Sequence, residues 1–501
     1  MEKNVTKDTI FLTLMQLTTQ ILSLILNIFI TRMLGSENLG LMSLIYAFFT
    51  FAIIISNGNI FVSTSRFVAE EKGKKEGCPQ KIFRYSLTFS LILSITSAVI
   101  VFIMARPIST NIIKNPECIT AVRMLALSLP AAALGSCIKG YFHANRKVII
   151  PAVSEAAAFL IKSFIMAVSA GILIPQNMIS VYTAIAISTI CSEVSCLIIL
   201  LASLPEKKFS EHSKASVSFG KYICKLIPII LNSYIPCILS TANDALVPVT
   251  LRQSGCNTSE ALSYYGIFEA VVLPVIFFPS MLLSCLSMIL VPEISKHRLS
   301  GEKFKNLDLI SDVISKTIIY SIFIVSILAT YGNEIGSLVS NESSAGKMIA
   351  LLSPVIPFIY LEIVLEGIIK GLGKHSFSSL NYLAEYIVRI SVLLICVPLM
   401  GFYGIAVSYY MSNIACNIAR IIVISKTYDI RFTFSGYLLT PLISIIVSWQ
   451  ISSMLRAVLH LDSLHIILQI ASYIIISLSV YMFTLKSLKN TFKISKDISG
   501  L

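Results

Sequence analysis

Two carboxylates, Asp244 and Glu269, stand inside apolar runs long enough to cross a membrane. An aspartate at the centre of such a run costs roughly 2.5–3.5 kcal/mol on insertion scales, so it faces protein or water rather than lipid tails. Left ionised and unpaired it is unfavourable, and a bound proton or cation relieves that cost. The run that carries Asp244 starts at Ile223 and is broken by Pro228, Pro236 and Pro248. A proline has no N–H to donate, so nearby carbonyls are left open to join in holding an ion. Ser233, Ser240 and Asp244 recur at helical spacing with Asn243 alongside, giving a polar stripe. Asp244 and Glu269 are therefore the candidate ion-coupling residues, with Na+ or H+ as the ion.

Deep basic residues form a second set. Lys139 ends one run, Lys162 follows Glu155 by seven residues on the next, and Arg389 follows Glu385 by four. Glu193, Glu362 and Glu366 are further carboxylates within apolar runs. Each basic residue either neutralises an acid within a helix bundle or holds an anionic ligand. A third set is uncharged: Thr13, Gln16, Gln20, Ser23 and Asn27 recur every three or four residues down one helical face. Such a stripe either bonds a neighbouring helix or lines a watery cavity. Two glutamines and an asparagine exceed what packing needs, which favours the cavity.

The elements that position these residues follow from composition. Of 501 residues 55% are hydrophobic and only 13% charged, and mean hydropathy is +0.83, too apolar for a soluble chain of this length. A spanning helix needs about 20 apolar residues. The sequence predicts fourteen such runs, from 9–32 to 465–486, with no loop long enough for a soluble domain. The first run has no convincing cleavage site and is read as a retained helix. With the N-terminus inside, the basic loops around Lys72, Lys207 and Lys296 all fall on the cytoplasmic side. Most loop Lys and Arg do too, which places both termini there. The net charge of +13 is thus topological, and no nucleic-acid partner is expected. The eleven cysteines are scattered without a Cys-x-x-Cys pair, and the six histidines show no ligand spacing, so no metal site is expected.

The halves of the chain echo each other. Arg32-x-x-Gly35 then Gly40 parallels Arg252-x-x-Gly255 then Gly266, and Val68-Ala-Glu70 parallels Val291-Pro-Glu293. Ile138-Lys139-Gly140 parallels Ile369-Lys370-Gly371. Each match starts on a run of the same orientation, the pattern of a parallel repeat of six helices. The expected organisation is all-α and integral to the membrane. It comprises an N-terminal lobe (1–204), a cytoplasmic linker (205–222), a C-terminal lobe (223–430), and two peripheral helices with a basic tail (431–501).

On the stretches Thr31–Gly40, Arg66–Gly73, Ile138–Phe142, Pro151–Ser154, Asp244–Pro248, Tyr265–Glu293 and Gly371–Lys374, the chain resembles the multidrug/oligosaccharidyl-lipid/polysaccharide exporter superfamily. Within it the resemblance is to the polysaccharide-flippase branch, which includes sporulation proteins. It implies two six-helix lobes around a central cavity and movement of an undecaprenyl-linked saccharide between leaflets by alternating access. In that setting Lys139, Lys162 and Arg389 would meet the pyrophosphate, and Gln16, Gln20 and Asn27 the sugars. The partners implied are the lipid-linked saccharide and membrane lipids, acting on a monomer. A cation-coupled multidrug or metabolite antiporter of the same fold is the alternative. A membrane enzyme needs a sizeable outer loop with catalytic residues, and the outer loops here are short.

Overall fold

The computed structural model describes the chain except residues 1, 75–76, 114, 177, 205–217, 300–302, 341, 429–438, 460–464 and 499–501. Side chains at 2–14, 16, 17, 112, 232, 299, 303, 304, 343, 428 and 489–498 are likewise outside the description. Most of the linker expected at 205–222 therefore lies outside the described residues.

Fourteen helical segments follow one another among the described residues. They are α1 (Glu2–Leu34), α2 (Ser36–Lys72), α3 (Pro79–Ile103), α4 (Pro116–Ala144), α5 (Ile149–Leu173), α6 (Val181–Ala202) and α7 (Phe219–Gln253). Then come α8 (Thr258–Arg298), α9 (Lys303–Val339), α10 (Ser344–Gly371), α11 (His375–Met400), α12 (Phe402–Tyr428), α13 (Thr440–Val458) and α14 (Ile466–Ile498). Thirteen contain stretches long and apolar enough to cross a membrane, and the apolar part of α1 among the described residues is Thr18–Leu34. Large apolar side chains such as Ile103, Leu127, Phe164, Leu399 and Phe483 are exposed on the helix surfaces, as lipid-facing positions require.

The helices pack as two units, Met1–Ala270 and Val271–Leu501. The division falls within α8. Thus α7 and the first turns of α8 pack with α1–α6, whereas the sequence puts them at the head of a second lobe.

In the first unit α2 is bent where the sequence runs Ser56-Asn-Gly-Asn59. Gly58 and Asn59 both adopt left-handed conformations (φ 52° and 53°) between two helical halves. The repeated glycines have a structural use. Gly35 (φ 76°) turns α1 into α2 and Gly255 (φ 102°) turns α7 into α8, conformations in which other L-residues are strained. Gly40 and Gly266 meet each other across α2 and α8. A Cβ on Gly266 would strike the Gly40 backbone, and one on Gly40 the Leu262 carbonyl. Close backbone approach at small residues is a usual way for helices to associate in lipid. Here Ser36 to Ser263 (3.1 Å) and Ser259 to Glu37 (2.6 Å) seal the crossing.

The prolines of α7 do not break it: Phe219–Gln253 is one continuous helix. Each proline fits helical φ and deletes a single backbone bond, which the bonds on either side outweigh.

In the second unit α10 packs against the end of α8, where Ser287 and Ser295 donate to the carbonyls of Ile363 and Gly371, both at 2.9 Å. Helices α13 and α14 pair through Ser448 and the Ser477 carbonyl (2.7 Å). Helix α14 docks on α9 through Tyr473 to Ser326 (2.7 Å) and Tyr481 to the Ile319 carbonyl (3.2 Å).

Candidate functional site: charged clusters inside the bundles

The two carboxylates named first are neighbours. Asp244 on α7 and Glu269 on α8 lie close enough for each to feel the other's charge, and both are partly buried. Asn243 donates to Asp244 Oδ1 at 3.2 Å. Pro248 cannot donate to the carbonyl one turn before it, that of Asp244. Glu269 sits in a π-helical turn, Phe268–Val272, a local widening frequent at functional sites. Asn27 of α1 donates its amide to the Ala270 carbonyl in this same turn. Three elements, α1, α7 and α8, therefore converge on one acidic spot within the first unit. Gln20, on the same stripe as Asn27, is exposed. The Gln16 side chain lies outside the described residues.

The lysines belong to a second cluster of the first unit. Lys139 of α4 pairs with Glu155 of α5 at 2.9 Å. Lys162 does not share that acid. Its ammonium sits over the ring of Tyr46 on α2, 4.3 Å from the centroid. Among the described residues no carboxylate lies within ion-pair distance of Lys162. Glu193 of α6 feels both lysines. An ammonium held by a ring quadrupole keeps its hydrogen-bond donors available for an anion, which an ion pair would occupy.

The second unit holds a larger network. Arg389 pairs with Glu385 at 2.6 Å, donates to Ser412 at 3.1 Å, and lies over the rings of Tyr409 (4.3 Å) and Tyr386 (5.3 Å). Arg420 of α12, fully buried, reaches Glu362 (3.2 Å), Glu385 (3.3 Å) and Glu366 (3.7 Å), and donates to Asn417 at 3.3 Å. Glu366 is also paired with Lys370 (3.2 Å) and accepts from Ser378. Arg389 is thus enclosed by partners.

Sequence reading missed Arg420 and Tyr46. The stripe Asn413, Asn417, Arg420, at helical spacing on α12, was the signal for the first. An isolated tyrosine offers no signal for the second.

Comparison with known proteins agrees with this architecture. The family model described as polysaccharide biosynthesis protein matches residues 5–249. Stage V sporulation protein B of Bacillus subtilis (strain 168) is 21% identical over 494 residues, covering 96% of this chain and 94% of that protein. Sporulation protein YkvU of the same organism is 20% identical over 402 residues, covering 77% of this chain and 87% of that one. The fold is shared with the lipid II flippase MurJ in its inward closed conformation. That match has a TM-score of 0.74 at 12% identity and covers 96% of this chain and 99% of that one. An inward-facing multidrug resistance MATE transporter matches with a TM-score of 0.63 at 16% identity, covering 82% of this chain and 94% of that one. The chain is a multi-pass membrane protein, and by family match, relatives and fold it resembles the polysaccharide-flippase branch of the multidrug/oligosaccharidyl-lipid/polysaccharide exporter superfamily.

Proposed function

We propose that this chain moves a lipid-linked saccharide, carried on an undecaprenyl-type pyrophosphate, across the cytoplasmic membrane by alternating access. It makes and breaks no covalent bond in the cargo, and both termini face the cytoplasm. The observation that carries the reading is Lys162, an ammonium within a spanning helix whose partner is the Tyr46 ring rather than a carboxylate. A free-standing interior cation suits an anionic headgroup and repels a cationic one. Lys139 exchanges its Glu155 partner for the same headgroup, and Gln16, Gln20 and Asn27 supply hydrogen bonds to sugars. Arg389 contributes through the network that holds it in place. Asp244 and Glu269 take the coupling ion, Na+ or H+, relieving the repulsion between two adjacent carboxylates. For the apolar tail, a groove of about 650 Å3 along α9, α10 and α13, lined by Ile322, Val325, Pro357, Ile445 and Trp449, offers room.

A second reading, a cation-coupled antiporter of drugs or metabolites, draws on the same Asp244 and Glu269 pair, which would attract a cationic cargo. Reversing charge at Lys162 separates the two. Lys162→Glu abolishes movement of a pyrophosphate-linked lipid in vesicles if the first reading holds. It leaves or raises uptake of an organic cation if the second does.

A further inference from the structure

A second groove of the second unit, of about 730 Å3, runs between α9 and α14. Its walls include Ile319, Tyr320 and Phe323 on α9 and Leu478, Tyr481 and Met482 on α14, and the charged residues that line it are Lys316 and Lys486. The two helices run antiparallel here, since Tyr473 meets Ser326 at 2.7 Å and Tyr481 meets the Ile319 carbonyl at 3.2 Å. Lys316, towards the start of α9, and Lys486, beyond Tyr481 on α14, therefore stand at the same end. The tyrosine hydroxyls of the wall are already engaged, Tyr320 with the Pro279 carbonyl (2.9 Å) and Tyr481 with that of Ile319. The Phe323 ring stacks on Tyr481 with centroids 5.9 Å apart. What remains is an apolar trough with two ammoniums at its mouth. We propose that it binds an anionic phospholipid, with the phosphate on Lys316 and Lys486 and an acyl chain laid along α9 and α14.

The charges select the headgroup. Lys316 has one acid, Asp312, at 2.6 Å, but both side chains are well exposed (71% and 54%), and such a pair holds its partner weakly. Asp312 stands one turn before Lys316 and is not part of the groove lining. Lys486 is exposed and takes part in no ion pair among the described residues. Two cations against one acid leave the mouth of the groove positive. Beyond Lys486 the sequence adds Lys489, Lys493 and Lys496 with one acid, Asp497, and basic clusters at the end of a spanning helix attract anionic lipid. Lysines in such places lay their stems along apolar surface and hold the ammonium at headgroup level. The dimensions select the tail. From Lys316 to Phe323 the helix covers about 10 Å, which stays within one leaflet of a hydrocarbon core about 30 Å thick. An acyl chain fits that depth, and an undecaprenyl tail far exceeds it. On the topology proposed above, the lysines face the cytoplasmic leaflet. The site is independent of the cargo's identity.

Brominated lipids, which quench tryptophan fluorescence on contact, test this in vesicles holding the full chain. Trp449 is the sole tryptophan, so Trp449→Phe gives a silent background. Adding Met482→Trp places a reporter in the groove, and adding Leu399→Trp instead places one on an exposed face of α11, where it senses bulk lipid. The groove reporter is expected to prefer brominated phosphatidylglycerol over brominated phosphatidylcholine by roughly five-fold, the effect of one ammonium at a membrane surface. The reporter at 399 is expected to show no preference. Lys316→Gln/Lys486→Gln brings the groove reporter to parity. Should that protein fold poorly, Lys486→Gln alone decides in the same way, since it breaks no ion pair and leaves Lys316 balanced by Asp312. Equal quenching by the two lipids in the groove, or a preference that survives loss of the lysines, overturns the proposal. So does displacement of brominated phosphatidylglycerol by undecaprenyl phosphate at lower concentration than by unbrominated phosphatidylglycerol, which would assign the groove to the cargo's tail.

Discussion

Removing Glu385 would leave two guanidiniums, Arg389 and Arg420, without the carboxylate they share. Breaking a buried pair from one side typically costs roughly 3–5 kcal/mol, because the remaining charge stays uncompensated. Glu385→Ala is therefore expected to lower thermal stability in detergent sharply, and more than Glu366→Ala, whose partner Lys370 is half exposed and can turn to water. The swap Glu385→Arg/Arg389→Glu will not rescue it, since it sets a second guanidinium against Arg420. Asp244 behaves differently. Asp244→Asn keeps shape and a hydrogen-bonding amide beside Asn243, so the protein should stay folded. It should lose its response to an imposed sodium or proton gradient in a vesicle transport assay. A mutant that responds like the parent removes Asp244 from the coupling role. At this scale the sequence showed which residues carry charge in apolar surroundings, and the four-residue spacing brought Glu385 within reach of Arg389, but it did not show which residues meet across helices. Glu155 and Lys162 share a helical face, yet seven residues of helix span about 10 Å, too far for an ion pair. Glu155 instead reaches Lys139 on the next helix. The proximity of Asp244 and Glu269 is likewise set by how α7 and α8 pack, which spacing within either helix does not encode.

At the level of elements, Gly40 and Gly266 fix how closely α2 and α8 cross. Gly266→Ala forces a methyl into the Gly40 backbone, and overpacking of this kind typically costs about 1–3 kcal/mol. A drop in melting temperature is expected, with loss of transport. Gly220→Ala is the control: nothing lies within 4 Å of its Cβ position in α7. A glycine replaced by alanine in a compatible helical position gains about 0.4–1 kcal/mol. Equal melting temperatures for the two variants would refute the close-crossing account. The helix count, the turn glycines and the bend at Gly58 were legible because hydropathy and backbone conformation are local properties. The π-helical turn around Glu269 was not: its Ala270 carbonyl accepts from Asn27 of α1, a contact that the local sequence does not encode. The continuity of α7 through three prolines was misread for a similar reason. Proline's local cost was visible in the sequence, while the helical bonds that absorb it were not.

Across the whole molecule, the membrane reading rests on the length and apolarity of the helices and the bias of Lys and Arg among the loops. On the proposed topology the loop after α2 faces the cytoplasm and the loop after α3 the outside. A single cysteine placed at Lys74, in a background freed of exposed cysteines such as Cys224, should react with an impermeant thiol reagent only after the cells are opened. One at Asn111 should react in intact cells, and the reverse pattern would invert the topology. The central claim is that an interior ammonium receives an anionic lipid-linked cargo. Its most direct test is leaflet-to-leaflet movement of a fluorescent undecaprenyl-pyrophosphate saccharide in vesicles holding equal amounts of parent, Lys162→Arg or Lys162→Glu protein. The account predicts movement by the parent and by Lys162→Arg, and none above the protein-free rate by Lys162→Glu. Movement by Lys162→Glu at the parental rate would contradict it.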